Sequence, residues 1–126
     1  MRYFIFIILL PLVSCYDFKG YYDSDYIVIN KTDETIVVHS SAYAGSGGSQ
    51  TLSEFTDQIA PNASFLLRNI DAKEDARIYN IFNDVVIVKG NIECTKDELD
   101  NALWSKISAG DDKFMYILAV DSTFFQ

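Results

Sequence analysis

The sequence has 126 residues, of which 49% are hydrophobic and 14% aromatic, and its formal net charge is −8. This length fits one domain with a real hydrophobic core, and the aromatic content argues against a disordered chain. The acidic balance argues against nucleic-acid binding, which depends on Lys and Arg side chains that neutralise phosphates. We therefore expect a small, acidic, folded domain without a nucleic-acid partner.

The N-terminal segment has the pattern of a secretory signal peptide over residues 1–14. One basic residue, Arg2, precedes an unbroken apolar run over residues 3–10. This run is shorter than the roughly 20 apolar residues that a transmembrane helix needs. The segment ends in Leu12-Val13-Ser14-Cys15, which resembles the bacterial lipobox. The resemblance implies cleavage before Cys15 and lipid modification of its sulfur, so that Cys15 begins a membrane-anchored chain.

Two other interpretations of this segment stay open. One is an ordinary secretory signal, although the A-x-A-like cleavage site that it favours is absent, and the other is a buried N-terminal strand. The state of Cys94 depends on the choice, because Cys15 and Cys94 are the only cysteines of the sequence. A lipidated Cys15 leaves Cys94 as a free thiol packed as a small hydrophobe, whereas a secreted protein without lipid allows a Cys15–Cys94 disulfide.

Residues 15–24, which begin with Cys15, form a predicted tether, and residues 25–126 form a single β-rich domain. The tether is short and aromatic instead of rich in Gly and Ser, so we expect the domain to lie close to the bilayer. Within the domain, residues 26–30 and 35–41 are rich in β-branched residues and flank a short polar turn. Two such runs around a polar loop predict an antiparallel hairpin.

The middle of the chain is divided by strong turn signals. Residues 44–49 are rich in Gly and Ser and predict a flexible loop. The predicted elements after this loop are an irregular edge strand over residues 50–59, a strand over residues 64–70, and a hairpin of residues 78–82 and 85–88 around Asn83-Asp84.

The C-terminal part combines a helix pattern with a final strand. Thr95 and Glu98 have the spacing of a capping box, and apolar residues then recur at helical intervals, which predicts a helix over residues 96–108. Residues 113–120 are apolar on both faces, which places this strand centrally in a sheet. The fold class predicted from six or seven short strands is mainly β: an antiparallel β-sandwich, Ig-like or related, with one short helix near the C-terminus.

The sequence contains no recognisable set of catalytic or metal-binding residues. His39 and Ser40 are neighbours on a predicted strand and therefore point to opposite faces, so this strand alone cannot pair them as base and nucleophile. The acidic pairs Asp23/Asp25 and Asp111/Asp112 lack the spacing and glycine of a calcium loop. We expect no cofactor, no metal and no enzymatic activity.

Several of these features together resemble small cell-envelope lipoproteins of Bacteroides-type bacteria. The resemblance spans most of the chain and implies a lipid-anchored protein of the bacterial cell envelope, expected in the outer membrane, with no catalytic residues to carry over. It rests on the lipobox, the turn at residues 30–34, Ile59-Ala60-Pro61-Asn62, the predicted hairpin around Asn83-Asp84, and Trp104 before a final aromatic strand.

The function that the sequence favours is a non-catalytic binding or structural module, with the membrane as one partner and an envelope protein or glycan as the other. The alternative is a small inhibitor of a protease or lysozyme that acts through an exposed loop, and a small hydrolase is favoured least. Trp104 is expected either to pack in the core or to stack on a sugar. The candidate binding residues are Tyr43, Gly45, Gly47, Gly48, Asn62 and Trp104.

Overall fold

The computed structural model describes residues 20–44 and 50–126. The predicted signal peptide, Cys15, residues 16–19 of the predicted tether, and the candidate residues Gly45, Gly47 and Gly48 lie outside these ranges. Residues 21–24, which were assigned to the tether, belong to the first strand.

The described residues form eight strands and one short α-helix. The helix, α1, is Ile78–Ile81, and two 3-10 helices lie at Asn101–Leu103 and Ser122–Phe125. The strands are β1 (Tyr21–Asn30), β2 (Ile36–Ala44), β3 (Thr51–Ile59), β4 (Ser64–Lys73), β5 (Asp84–Lys89), β6 (Ile92–Glu93), β7 (Trp104–Gly110) and β8 (Lys113–Val120).

The strands make two four-stranded sheets, in the orders β4-β1-β8-β7 and β3-β2-β5-β6. The predicted mainly β sandwich is confirmed, and so are the central position of β8 and the edge position of β3. The irregularity expected of β3 is wrong, because its pairing with β2 has no register shift. Pairing within the sheets is antiparallel except between β1 and β8, which run parallel with Tyr26 beside Tyr116. The described domain is thus closed by a pairing between its first and last strands.

The core lies between the two sheets. Alternate residues of β1 and β2 face it, and Val28 and Val38 are both completely buried. At one side of the core Tyr26 stacks on Tyr116 with ring centroids 4.9 Å apart, and it meets the edges of Phe82 and Trp104 at 5.7 and 6.2 Å. Each such aromatic pair adds about 0.5–1.5 kcal/mol beyond the area that it buries. This cluster ties the loop after α1 and the start of β7 to the centre of the first sheet.

Both predicted hairpins are wrong. The strands at residues 26–30 and 35–41 belong to different sheets, because their apolar faces meet across the core instead of lying side by side. Of the second pair, residues 85–88 lie in β5, but residues 78–82 form α1 and its end. One helical turn brings Ile78, Ile81 and Phe82 together on the core side, and all three are buried.

The helix predicted over residues 96–108 is also wrong, because Trp104–Gly110 is β7 and pairs with β8. The two polar residues of the expected capping box bond elsewhere. The Thr95 hydroxyl lies within hydrogen-bond distance of the carbonyl oxygens of Phe124 and Gln126, and Glu98 Oε2 accepts from the backbone N–H of Ile87. Sheet pairing therefore overrides a local helix pattern. No helix within residues 20–44 and 50–126 is long and apolar enough to cross a membrane.

The two ends of the sandwich are distinguished by their contacts. At one end, the Asn30 end, Asn30 donates to the carbonyl oxygen of Ile59 and its own carbonyl accepts from Asn62. At the opposite end, the Tyr21 end, β1 begins and β4 finishes, since Tyr21 pairs with Lys73. The end of β2 lies toward this end as well, because Arg68, the partner of Tyr26, donates to the Tyr43 carbonyl oxygen.

Candidate functional site

The candidate binding residues predicted from the sequence lie in different parts of the structure. Tyr43 is 51% exposed toward the Tyr21 end, next to the Gly-rich stretch that lies outside the described residues. Asn62 lies in the turn at the Asn30 end, where its φ of 64° is tolerated by Asn better than by most residues. Tyr43 and Asn62 therefore do not contribute to one common site.

Trp104 is buried at the start of β7, with only 7% of its surface exposed. Its ring lies near Phe82 at 6.2 Å, and its indole N–H donates to the Glu98 carbonyl oxygen at 2.9 Å. A buried Trp whose N–H is satisfied behaves as a core residue. Packing in the core, one of the two roles expected for Trp104, accounts for these contacts.

The outer face of the second sheet carries His39. Its Nδ1 lies 3.0 Å from Thr56 Oγ1 on the neighbouring strand, while Ser40 is buried on the opposite face. Ser41 shares the outer face with His39, and its hydroxyl accepts a hydrogen bond from the Asn83 side chain at 3.2 Å. The hydroxyl group that His39 contacts is that of exposed Thr56, and neither hydrogen bond joins His39 to Ser40 or Ser41.

The acidic pair Asp23 and Asp25 forms a charge network on the outer face of the first sheet. Lys113 Nζ lies 3.3 Å from Asp23 and 3.5 Å from Asp25, and Asn69 donates to both carboxylates at 2.6 Å. The hydrogen bonds from Asn69 and Lys113 hold the pKa of Asp23 below its usual range. These two carboxylates thus share one lysine and one amide of the protein itself, and within residues 20–44 and 50–126 there is no group of three metal-ligand residues.

Arg68 on β4 is a different kind of charged residue, because it faces the gap between the sheets. The register of β4 against β1 shifts between Tyr26, which pairs with Arg68, and Ile27, which pairs with Leu66, so Leu67 is an extra residue in a β-bulge. Bulges change the direction of side chains and are common beside functional sites. Here the bulge keeps Arg68 on the core side of this edge strand while Leu66 points outward.

The guanidinium of Arg68 is held by carbonyl groups. Its Nη1 donates to the carbonyl oxygen of Ile81, and its Nη2 donates to that of Tyr43 at 3.2 Å. Burial lowers the pKa of this guanidinium, although an Arg side chain stays charged at neutral pH. Two of its five N–H groups are used in this way, which leaves three donors for a further acceptor.

Arg68 has no carboxylate partner among the described residues. The ion pairs in this part of the chain all use a lysine, Lys106 with Glu74 and Lys113 with two aspartates. Seventeen of the 18 acidic residues are described, and Asp17 is the exception. In a protein with net charge −8, a half-buried arginine without an acid is the feature that most needs a functional explanation.

Two adjoining pockets meet at Arg68 and Phe82. One encloses ≈ 220 Å³ between the edge strands β3 and β4 and is mostly apolar, and the other encloses ≈ 350 Å³ beside α1 and is more polar. We call the two together the Arg68 cleft. Three aromatic side chains at the cleft, Tyr43, Phe55 and Tyr79, are 51–59% exposed. The remaining lining residues include Ala42, Ala44, Leu67, Gln50, Asn80 and Asn83.

Tyr43 was predicted from the sequence as a candidate, whereas Arg68 was not. The available signal was a single cation inside the apolar run Phe65-Leu66-Leu67-Arg68, in a chain with only three arginines. Strand periodicity alone assigns Arg68 to the same face as Leu66, and only the bulge reveals that their faces differ.

Comparison of this chain with protein-family models, with curated proteins and with solved structures gave no match in any of the three.

Proposed function

We propose that this protein is a lipid-anchored, non-catalytic binding module of the bacterial cell envelope, located in the outer membrane, and that its ligand presents a carboxylate to Arg68. The observation that carries the proposal is the half-buried guanidinium, which has free donors and no acidic partner among the described residues. Arginine recognises carboxylates through paired hydrogen bonds, which are stronger when water is partly excluded.

The surroundings of Arg68 support a binding role. Ligand sites are concave, mostly apolar and aromatic, and contain a few polar groups that fix orientation. The Arg68 cleft has this composition, with Phe55 and Leu67 on its apolar side and Tyr79 and Asn80 on its polar side. His39, the one histidine of the chain, contacts Thr56, so the proposal gives it a structural role.

A purely structural explanation competes with this proposal. Charged residues that point inward on edge strands, and bulges in those strands, protect a sheet from pairing with other chains. Arg68 and the bulge at Leu67 fit that description. The two explanations differ in their consequence: a protective arginine needs only its charge, whereas a binding arginine contributes affinity for an anion.

Crosslinking in living cells separates the two. A photoreactive amino acid in place of Phe55 is activated in the wild-type background, in Arg68→Gln and in Lys31→Gln, which removes the same charge at the Asn30 end. We expect a specific crosslinked species in the wild type and in Lys31→Gln, and its loss in Arg68→Gln. Identical species in all three backgrounds, with all variants folded by circular dichroism, contradict a ligand at Arg68.

The anchor is tested separately. Cys15 follows the apolar N-terminal run within Leu12-Val13-Ser14-Cys15. Metabolic labelling with a clickable fatty acid should mark the wild-type protein and leave Cys15→Ala unlabelled, and membrane fractionation should place the labelled protein in the outer membrane. Equal labelling of both proteins would remove the lipid anchor from the proposal.

A further inference from the structure

The edge of β3 is the least protected edge of the sandwich. β3 pairs with β2 in a regular antiparallel ladder from Thr51–Ala44 to Ile59–Ile36, without a register shift. It contains no Pro, Lys or Arg. On the side away from β2 it pairs with none of the described strands, so that side is an edge of the sheet. A long, regular edge strand presents a row of backbone donors and acceptors that another strand can pair with.

The other three edges of the described sheets are less suitable for pairing. β4 carries the bulge at Leu67 and the inward Arg68, and β6 is only two residues long. β7 has a register shift between Ser108 and Gly110 and displays Lys106. Among the described strands, β3 therefore has the edge that is best suited to pairing with another strand.

The open edge of β3 lies beside the Arg68 cleft. Ser53 and Phe55 of β3 line the apolar pocket of the cleft opposite Leu67 and Arg68 of β4. A strand that adds to β3 directs every second side chain toward this pocket. Backbone pairing and side-chain recognition are thus available at the same place.

We propose that the partner is an extended polypeptide segment that adds to β3 as a new edge strand and places one Asp or Glu carboxylate on Arg68. This inference rests on the proposed function and names the class of its ligand. The apolar pocket takes the side chain two positions away from the acid, in contact with Phe55 and Leu67. Strand addition of this kind derives affinity from main-chain hydrogen bonds and specificity from alternate side chains.

The charges of β3 further define the segment. Glu54 and Asp57 lie on β3, so basic side chains are favoured where the added strand passes them. The same two carboxylates argue against a second copy of this chain as the occupant. Antiparallel pairing of two β3 strands brings together four acidic residues and no basic ones, and like charges on paired strands are destabilising.

A displayed random-peptide library tests the inference on the mature full-length protein. We expect enriched peptides that alternate apolar and polar residues and contain one acidic and at least one basic residue. Arg68→Gln should weaken an enriched peptide by roughly ten- to a hundredfold, the effect of losing a charge-assisted hydrogen bond. Arg68→Lys, which keeps the charge but not the fork, should lose less, and Lys31→Gln should lose nothing.

A double-mutant cycle and hydrogen exchange then locate the peptide. Changing its acidic residue to the amide should weaken binding to the wild-type protein but have little further effect on Arg68→Gln. Bound peptide should slow exchange of amides in β3 and leave those at the β7 edge unchanged. Peptides that bind Arg68→Gln as well as the wild type, or that protect β7, overturn the inference.

A second binding experiment, with an acidic sugar in place of a peptide, distinguishes failure of this inference from failure of the proposed function. Tri-galacturonate, an acidic sugar, is titrated into the same proteins. If no peptide is enriched but tri-galacturonate binds and requires Arg68, strand addition is rejected while carboxylate binding at the cleft stands. If neither the library nor the sugar binds and the crosslinked species is independent of Arg68, both proposals fail.

Discussion

Asn30 Oδ1 accepts two hydrogen bonds from Thr32, one from its backbone N–H at 2.9 Å and one from its hydroxyl at 2.7 Å. The amide nitrogen of Asn30 donates to the carbonyl oxygens of Ile59 and Glu34 at 2.9 and 2.7 Å. Asn30 is completely buried, and these four bonds satisfy both donors and both acceptor sites of its amide. The side chain therefore fixes the path of the chain as it leaves β1 for the other sheet.

The first prediction is that Asn30→Asp strongly destabilises the protein. A carboxylate keeps the shape of the amide but has no donors, so it faces the Ile59 and Glu34 carbonyl oxygens unpaired. We expect a loss of about 3 kcal/mol or more in the free energy of unfolding at neutral pH, measured by urea denaturation. The control is Asn91→Asp at an exposed position, which should change the midpoint little. Equal midpoints for the two variants would contradict the role assigned to Asn30.

The second prediction concerns Thr95, whose hydroxyl bonds to the C-terminal segment. Thr95→Ala removes its contacts to the Phe124 and Gln126 carbonyl oxygens at 3.2 and 2.9 Å. We expect a loss of about 1 kcal/mol and faster amide exchange at residues 122–126. Thr35→Ala, at an exposed position, serves as the control. A loss of helical circular dichroism without a change at the C-terminus would instead favour the helix cap predicted from the sequence.

The sequence predicted the sandwich because strand alternation and turn residues are local signals. It did not predict the connections. The short polar loop after Asn30 is compatible with a hairpin and with a crossing between sheets. The chain crosses between the sheets, because this buries Val28 against the opposite sheet. The pairing of β1 with β8 joins residues about as far apart as the domain allows, and no local pattern records such a contact.

Of the residues that line the Arg68 cleft, only the exposed Tyr43 was predicted from the sequence as a candidate. Tyr43 was found because it precedes a Gly-rich stretch, which marks a surface loop. Arg68 was missed because its inward direction depends on the bulge at Leu67, and its lack of a partner depends on where every carboxylate lies. Both are properties of the folded chain as a whole. Trp104 is the opposite case: it was a candidate binding residue in the sequence, but in the structure it is buried in the core.

The third prediction is that Cys94 is a slow-reacting free thiol. Cys94 is partly buried, and its Sγ lies 3.4 Å from the Lys96 carbonyl oxygen, to which it donates. Burial raises the pKa of this thiol, so its reactive thiolate forms only at higher pH. We expect one alkylated cysteine in the delipidated mature protein, with a rate that increases greatly on unfolding. A non-reduced mass that shows a Cys15–Cys94 disulfide would overturn this prediction and the lipid anchor together.

The fourth prediction concerns Tyr26, which is 1% exposed and stacked on Tyr116. Burial raises the pKa of Tyr26 from its ordinary value of 10.0 to about 12, because the phenolate is poorly solvated in the core. The unfolded chain releases this proton near its ordinary pKa while the folded chain keeps it. Stability is therefore fully present below about pH 10 and falls as the pH rises from there to about 12.

A phenolate absorbance titration and alkaline unfolding curves check the effect of Tyr26. The difference of about two pKa units corresponds to about 2–3 kcal/mol lost across the window. In Tyr26→Phe the ring remains packed, but one late-titrating group is absent, so the slope of stability against pH should be shallower. Tyr116, whose pKa burial also raises, is retained in both proteins and stacks on the ring at position 26. A difference titration between the wild type and Tyr26→Phe that is centred near pH 10, instead of near pH 12, would show that Tyr26 ionises like an exposed tyrosine.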